Sequence, residues 1–173
     1  MGKTPDKELQ IVPLTEMPDN SSFCCKSAEL NDFLKNDALK DQEYMVSRTY
    51  LCCWNKDIVG YLALVADTLE VEAIDEYDKI AGYLYHRYPA VKIARLAVHK
   101  DYERRGIGKF MLLTTIGKAI AISKEIGCRY ITVDSKPESV GFYEKHGFRI
   151  VEKYRHSDTP KMYLNMYPIL KRV

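Results

Sequence analysis

The chain has 173 residues, of which 46% are hydrophobic and 29% charged, with a net charge of +2. That length buries a full core without disulfide or metal staples, and so small a net charge does not by itself argue for nucleic acid or membrane. The polar Met1 to Leu9 segment lacks a signal-peptide core and the longest apolar stretch, Ile58 to Ala66, is far too short to span a bilayer, so a cytoplasmic protein is expected.

In chain order, Leu9 to Leu14 reads as a short edge strand closed by turns at Pro13 and Pro18. Ser27 is placed to cap a helix whose apolar positions Leu30, Phe33, Leu34 and Ala38 follow helical spacing. Val46 to Trp54 and Ile58 to Ala66 read as strands joined by an Asn55-Lys56-Asp57 hairpin turn. The acidic stretch Glu70 to Asp78 is expected to be a solvated face, followed by a short helix through Tyr85. Pro89 ends that segment, and Val91 to Val98 reads as a central strand. Gly106 to Ile126 is a long helix, apolar around most of its circumference and stopped by Gly127. Tyr130 to Val133 is a further strand, and Pro137 opens a helix running to about His146. Phe148 to Lys153 and Met162 to Tyr167 form a closing strand pair. Strands and helices alternate in the second half, so one α/β domain over residues 1–173 is expected, with a mixed sheet and helices on both faces.

The five cysteines are an odd number and are expected as free thiols. Cys24-Cys25 and Cys52-Cys53 are adjacent pairs, which point to opposite faces of an extended strand, and the two- to four-residue gap of a metal site is missing, so no metal is expected. Cys128, beside Gly127, reads as a small buried hydrophobe. His86, His99, His146 and His156 show no dyad spacing and read as surface histidines.

The segment from Ala97 to Lys109 carries most of the chemistry. A strand ends, a basic loop with Gly106 and Gly108 follows, and a long helix begins. Helix starts leave backbone N–H groups without partners and carry partial positive charge, and glycines let those donors approach a phosphate. Arg104, Arg105 and Lys109 add cations suited to a pyrophosphate or ribose phosphate. A P-loop is excluded because Phe110 follows Lys109 and no glycine stands five before Gly108. A dinucleotide fingerprint is excluded because Met111 occupies its third glycine position. A bare G-x-G remains compatible with a simple tight turn.

Glu103 to Gly108 resembles the acetyl-CoA loop of the GNAT acetyltransferase superfamily, Q/R-x-x-G-x-G/A, with Glu103 in place of the usual Gln or Arg. The resemblance implies a central twisted sheet of about six to seven strands, splayed where the cofactor enters. It implies acetyl-CoA held by Leu96, Ala97 and Val98 along the pantetheine arm and by Arg104, Arg105, Gly106, Ile107, Gly108 and Lys109 at the phosphates. Val140 to Phe148 resembles the family's A-x-x-F-Y-x-x-x-G-F helix and turn, which makes Tyr143 the candidate catalytic acid, near the CoA sulfur, and adds Phe142 to the cofactor site. In this chemistry an amine attacks the thioester carbonyl, a backbone N–H near Val98 holds the oxyanion, and a weak acid assists the leaving thiolate.

Phe23 to Leu34, Ala38 to Gln42, Ser47 to Tyr50, Ile58 to Leu64 and Arg87 to Val91 resemble the toxin-type branch of that superfamily. That narrower resemblance implies the α-amine of aminoacyl-tRNA as acceptor and an antitoxin protein as partner, with a homodimer as a further expectation. A polyamine-like small molecule or a protein amine stays open as acceptor, and so does a CoA-binding interaction module without catalysis. The basic residues Lys92, Arg95, Lys100, Arg104, Arg105 and Lys109 fit RNA, although CoA phosphates account for most of that cluster.

Overall fold

The computed structural model describes residues 8–17 and 22–172, so Pro18 and the first seven residues of the polar N-terminal segment lie outside the described residues. The strands are β1 Gln10–Pro13, β2 Arg48–Trp54, β3 Asp57–Glu70, β4 Arg87–Val98, β5 Tyr130–Asp134, β6 Arg149–Ile150 and β7 Lys161–Asn165. They form one seven-stranded sheet in the order β1-β2-β3-β4-β5-β7-β6. The β4–β5 pair is parallel, whereas β1–β2, β2–β3, β5–β7 and β6–β7 are antiparallel, so the sheet is mixed as expected. The helices are α1 Ala28–Asp32, α2 Ala38–Glu43, α3 Ile107–Glu125, α4 Val140–Glu144 and α5 Tyr167–Leu170. The chain divides into two compact units, one holding residues up to Val65 with Ala94–Thr115, the other Ala66–Ile93 with residues from Ile116 onward.

In the first unit, β1 takes the sheet edge beside β2, and Asn55 and Lys56 turn the β2–β3 hairpin with φ of 50° and 77°. Two consecutive left-handed residues suit the right-handed twist of a hairpin. Cys52 and Cys53 flank a register shift in β2, which leaves Cys52 fully buried and Cys53 half-buried. Cys24 and Cys25, by contrast, lie outside any strand; all five thiols are free. Ser27 caps α1 by accepting from the Leu30 N–H at 3.4 Å. Between α1 and α2 the backbone widens into a π turn over Phe33–Asp37, where the Ala38 N–H reaches Phe33 O five residues back. Just before this widened turn, Leu30 O accepts from the buried Tyr61 hydroxyl at 2.7 Å. Phe33, Leu34 and Ala38 then pack with Leu14, Leu51, Tyr61, Ala63 and Ala97 into one core.

Gly60 explains how the first unit is layered. A Cβ there would lie 2.9 Å from Ala97 O and 2.9 Å from the Met111 side chain on α3. Tyr61, the next residue, faces Phe33 on the other side, ring centroids 6.2 Å apart. Successive strand residues point to opposite faces, so β3 is covered by α3 on one face and by the α1–α2 segment on the other.

In the second unit, Tyr88, Tyr130 and Tyr163 are fully buried with Leu69, Ile74, Ala90 and Val151. Each fully buried large side chain contributes roughly 1.5–3 kcal/mol. The acidic stretch is solvated at Glu72, Asp75 and Glu76, whereas Ile74 is buried and Asp78 half-buried, and the helix expected after it does not form. Instead Val71–Ala73 and Glu76–Asp78 are 3-10 turns, and the segment reaches Arg87 through bends. The cause is long-range tethering. Asp78 accepts from Tyr163 Oη and Asn165 Nδ2, each at 3.1 Å, and its carbonyl accepts from Tyr130 Oη at 2.6 Å. Asp75 pairs with Arg149 at 2.8 Å. These bonds hold the backbone in place where a local helix would carry it away.

Three smaller expectations are also corrected. Pro89 does not end the preceding segment but sits inside β4, with its carbonyl accepting from the Arg129 N–H at 2.9 Å. The strand expected over Phe148 to Lys153 is the two-residue β6, because Glu152–Tyr154 forms a 3-10 turn. Cys128 is half-buried rather than a core residue. Pairing of β4 with β5 covers Ala90–Ile93 only, while β4 continues to Val98.

Candidate active site

The loop that follows β4 is built by side chains on both flanks. The His99 N–H donates to Val59 O at 2.9 Å, closing the strand end. The His99 ring is buried, contrary to the surface placement expected for it. Its Nδ1 accepts from the Asp101 N–H at 3.2 Å, capping the 3-10 turn Lys100–Tyr102, so its Nε2 carries the hydrogen that bonds Ser22 O at 3.1 Å. A backbone donor fixes the tautomer, and the edges of Phe23 and Tyr102 fix the ring. Of the other histidines, His86 and His156 are exposed, and half-buried His146 donates from Nδ1 to Phe142 O at 2.7 Å.

Tyr102 supports the next part of the loop. Its hydroxyl donates to Asp57 Oδ2 at 3.1 Å, and its ring meets the Trp54 ring edge-on. The Arg105 guanidinium lies over the Tyr102 ring, 5.1 Å from its centroid. Arg105 Nε is buried and has no hydrogen-bond partner among the described residues. A buried unpaired donor costs free energy until an acceptor meets it, so this donor suits an anionic ligand.

Arg104 and Gly106 both adopt left-handed backbone conformations, with φ of 63° and 89°. A Cβ added at Gly106 would meet nothing within 4 Å, so glycine is required there for its backbone angle and leaves open space beside it. Ile107 is buried at the start of α3, and the first ladder bond runs from the Phe110 N–H to Gly106 O at 3.0 Å. The N–H groups of Ile107, Gly108 and Lys109 therefore have no acceptor within the helix. Half-buried Gly108 and exposed Arg104 and Lys109 complete a loop with an open, positive helix start. Leu96, Ala97 and Val98 end β4 immediately before it, Ala97 buried and its neighbours half-buried. All these residues, expected to bind the cofactor, are brought together in the first unit.

Two of the six expected basic residues serve the fold. Lys92 pairs with Asp134. Arg95 lies over Phe33, 4.9 Å from the ring centroid, and 4.0 Å from Glu29.

Phe142 and Tyr143 stand on α4 in the second unit. Gly147, at φ 87°, ends that helix. Its N–H bonds Glu144 O at 3.1 Å, and the Phe148 N–H bonds Tyr143 O at 3.1 Å. This paired closure needs a left-handed residue, which explains the glycine, and it returns Phe148 to pack edge-on against Tyr143. Tyr143 is 6% exposed, and burial alone pushes its hydroxyl pKa well above the ordinary tyrosine value. Such a phenol stays protonated at neutral pH.

The sequence from residue 14 to 162 matches the family model described as an acetyltransferase (GNAT) domain. Among curated proteins, the chain is 28% identical over 138 residues to a tRNA-acetylating toxin of Mycobacterium tuberculosis, covering 79% of this chain and 82% of that protein. A shorter match, 38% over 55 residues, is to glucosamine 6-phosphate N-acetyltransferase of Schizosaccharomyces pombe and covers 32% of this chain and 46% of that enzyme. Among solved structures, AtaT complexed with acetyl-methionyl-tRNAfMet superposes with a TM-score of 0.84 at 21% identity, covering 95% of this chain and 98% of that one. AtaTR bound with acetyl-CoA gives a TM-score of 0.78 at 22% identity over 96% of this chain and 98% of that one. With the family model spanning most of its length and the strand–loop–helix in place, the chain belongs to the GNAT family and is an acetyl-CoA-dependent N-acetyltransferase.

Proposed function

We propose that this enzyme acetylates the α-amine of aminoacyl-tRNA, with acetyl-CoA bound along Leu96–Val98 and at Arg104–Lys109, and with Tyr143 as the catalytic acid. The observation that carries the cofactor site is the Arg104–Gly106 turn, whose left-handed geometry opens the α3 start beside the unpaired Arg105 Nε. The acceptor is supported by the curated relative named a tRNA-acetylating toxin and by the structural likeness to AtaT. A single acetyltransferase domain is supported by the family match from residue 14 to 162, which includes parts of both units.

In the reaction, the neutral amine nitrogen attacks the thioester carbonyl, forming the C–N bond and a tetrahedral oxyanion. The His99 N–H is committed to Val59, and successive strand N–H groups point to opposite sides, so the Val98 N–H points away from Val59 and holds the oxyanion. Collapse breaks the C–S bond, Tyr143 Oη gives its proton to the sulfur, and the proton lost by the amine returns through solvent. An α-amine, with a pKa near 8 against about 10.4 for lysine, reaches the neutral form far more readily. A cytoplasmic location is the one that fits these proposed substrates. An antitoxin protein is the expected partner, as AtaR is for the AtaT toxin.

The test supplies labelled acetyl-CoA with charged tRNA, uncharged tRNA, polyamines and a lysine peptide at two salt concentrations. Label is expected in charged tRNA alone, falling steeply with added salt as phosphate contacts are screened. Labelling confined to the peptide or polyamine would overturn the acceptor while leaving the acetyltransferase intact.

A further inference from the structure

Glu103 puts a carboxylate at the first position of a loop whose other features attract anions. It does not stand alone. The segment Ser22 to Lys26 runs along the loop and is fastened to it at three points. His99 Nε2 donates to Ser22 O at 3.1 Å, the Lys100 N–H donates to Cys24 O at 2.9 Å, and Lys26 Nζ pairs with Glu103 Oε2 at 2.5 Å. The turn is also braced from within: the Cys25 N–H donates to Asn31 Oδ1 at 2.8 Å and Asn31 Nδ2 donates to Cys25 O at 2.9 Å. Lys26 therefore springs from backbone fixed to the loop, unlike a lysine on a free surface.

The Glu103 side chain is 31% exposed and that of Lys26 is 75% exposed. An ammonium has three donors, and the pair with Glu103 uses one, so two remain for a ligand. An ion pair so open to water adds little to stability, which leaves the fold a weak reason for it. We propose that Lys26 is a phosphate-binding residue of the acetyl-CoA site, held at the loop by Glu103 as its positioning residue. A cation is thus brought to position 103 by a residue 77 positions earlier. This inference rests on the cofactor reading of the Arg104–Lys109 loop. The ligand chemistry is a phosphate of acetyl-CoA, either the pyrophosphate or the 3′-phosphate.

Calorimetric titration of the full chain with acetyl-CoA tests it. Lys26→Gln is expected to weaken binding about tenfold, the loss of one charge-assisted contact. Moving the cation, with Lys26→Gln and Glu103→Arg together, is expected to restore affinity. A Lys26→Gln variant that binds as the wild type does, or a double variant that stays as weak as the single one while melting normally, overturns the inference. Repeating the titration with 3′-dephospho-acetyl-CoA names the phosphate: the Lys26 effect disappears if it serves the 3′-phosphate and persists if it serves the pyrophosphate, and either result supports the role. Gly108→Val, which closes the loop itself, separates the two readings. If it leaves affinity intact the loop is not the cofactor site; if it abolishes binding while Lys26→Gln changes nothing, only the Lys26 role falls.

Discussion

Tyr143→Phe tests the catalytic acid with the least disturbance of the fold. The ring packs edge-on against Phe142 and Phe148, centroids 5.1 and 5.3 Å away, and phenylalanine keeps both contacts. Burial is what raises the hydroxyl pKa, and among the described residues the hydroxyl has no ion pair or hydrogen bond, so deleting it strands no partner there. Stability at neutral pH should change by no more than about 1 kcal/mol. Loss of general acid catalysis lowers kcat by roughly two to four orders of magnitude, about 3–5 kcal/mol of barrier. The sign of the pH dependence follows from the raised pKa. The folded state holds the Tyr143 proton more tightly than the unfolded chain, so its stabilising effect is complete below the ordinary value of 10.0 and is lost as pH climbs above it. Between pH 6 and 9 the wild-type kcat should therefore rise with acceptor deprotonation and show no descending limb from Tyr143. Steady-state kinetics with charged tRNA, beside calorimetric affinity for acetyl-CoA, provide the assay. Wild-type kcat in a folded Tyr143→Phe protein would refute the acid role; a tenfold loss of cofactor affinity with kcat intact would reassign the ring to cofactor packing.

Gly108→Val should abolish acetyl-CoA binding in calorimetry with the protein still folded, because a branched side chain on the open α3 start blocks phosphate approach. Gly60→Ala should destabilise the fold by about 1–3 kcal/mol, since its Cβ meets the fixed Ala97 carbonyl at 2.9 Å and only the Met111 side chain can yield. A thermal melt reads that cost at ~2–4 °C per kcal/mol, and an unchanged melting temperature would mean that β3 and α3 separate freely.

The strand–loop–helix was legible because its parts are local: a strand end, two glycines, four cations and the start of a long helix within thirteen consecutive residues. The α4 turn was legible for the same reason, since Tyr143, Gly147 and Phe148 form their bonds within six residues. What stayed hidden depends on partners far away in the chain. The acidic stretch is bent by Tyr130, Tyr163 and Asn165, residues 52 to 87 positions from Asp78, and no local pattern signals that they converge on it. His99 looks like any loop histidine until Ser22, Phe23 and Tyr102 surround it.

Glu103 brings the two kinds of information together. In the sequence it is a departure from the loop motif, an acidic residue among cations, and taken locally it weakens the cofactor reading. In the fold the same carboxylate meets Lys26, carried there by a segment whose backbone is bonded to the loop. The charge at that point is set by the pair, so the motif is met by the assembled site rather than by position 103 alone. On this inference an acidic residue at position 103 is compatible with a cation at the loop, because a second segment brings one. The order of the chain also gives the Ser22–Lys26 segment a task, because a strap that carries a phosphate ligand must stay fastened while the cofactor comes and goes. The buried His99 ties the strap's start to the end of β4, and the Lys100 N–H ties its middle through Cys24 O.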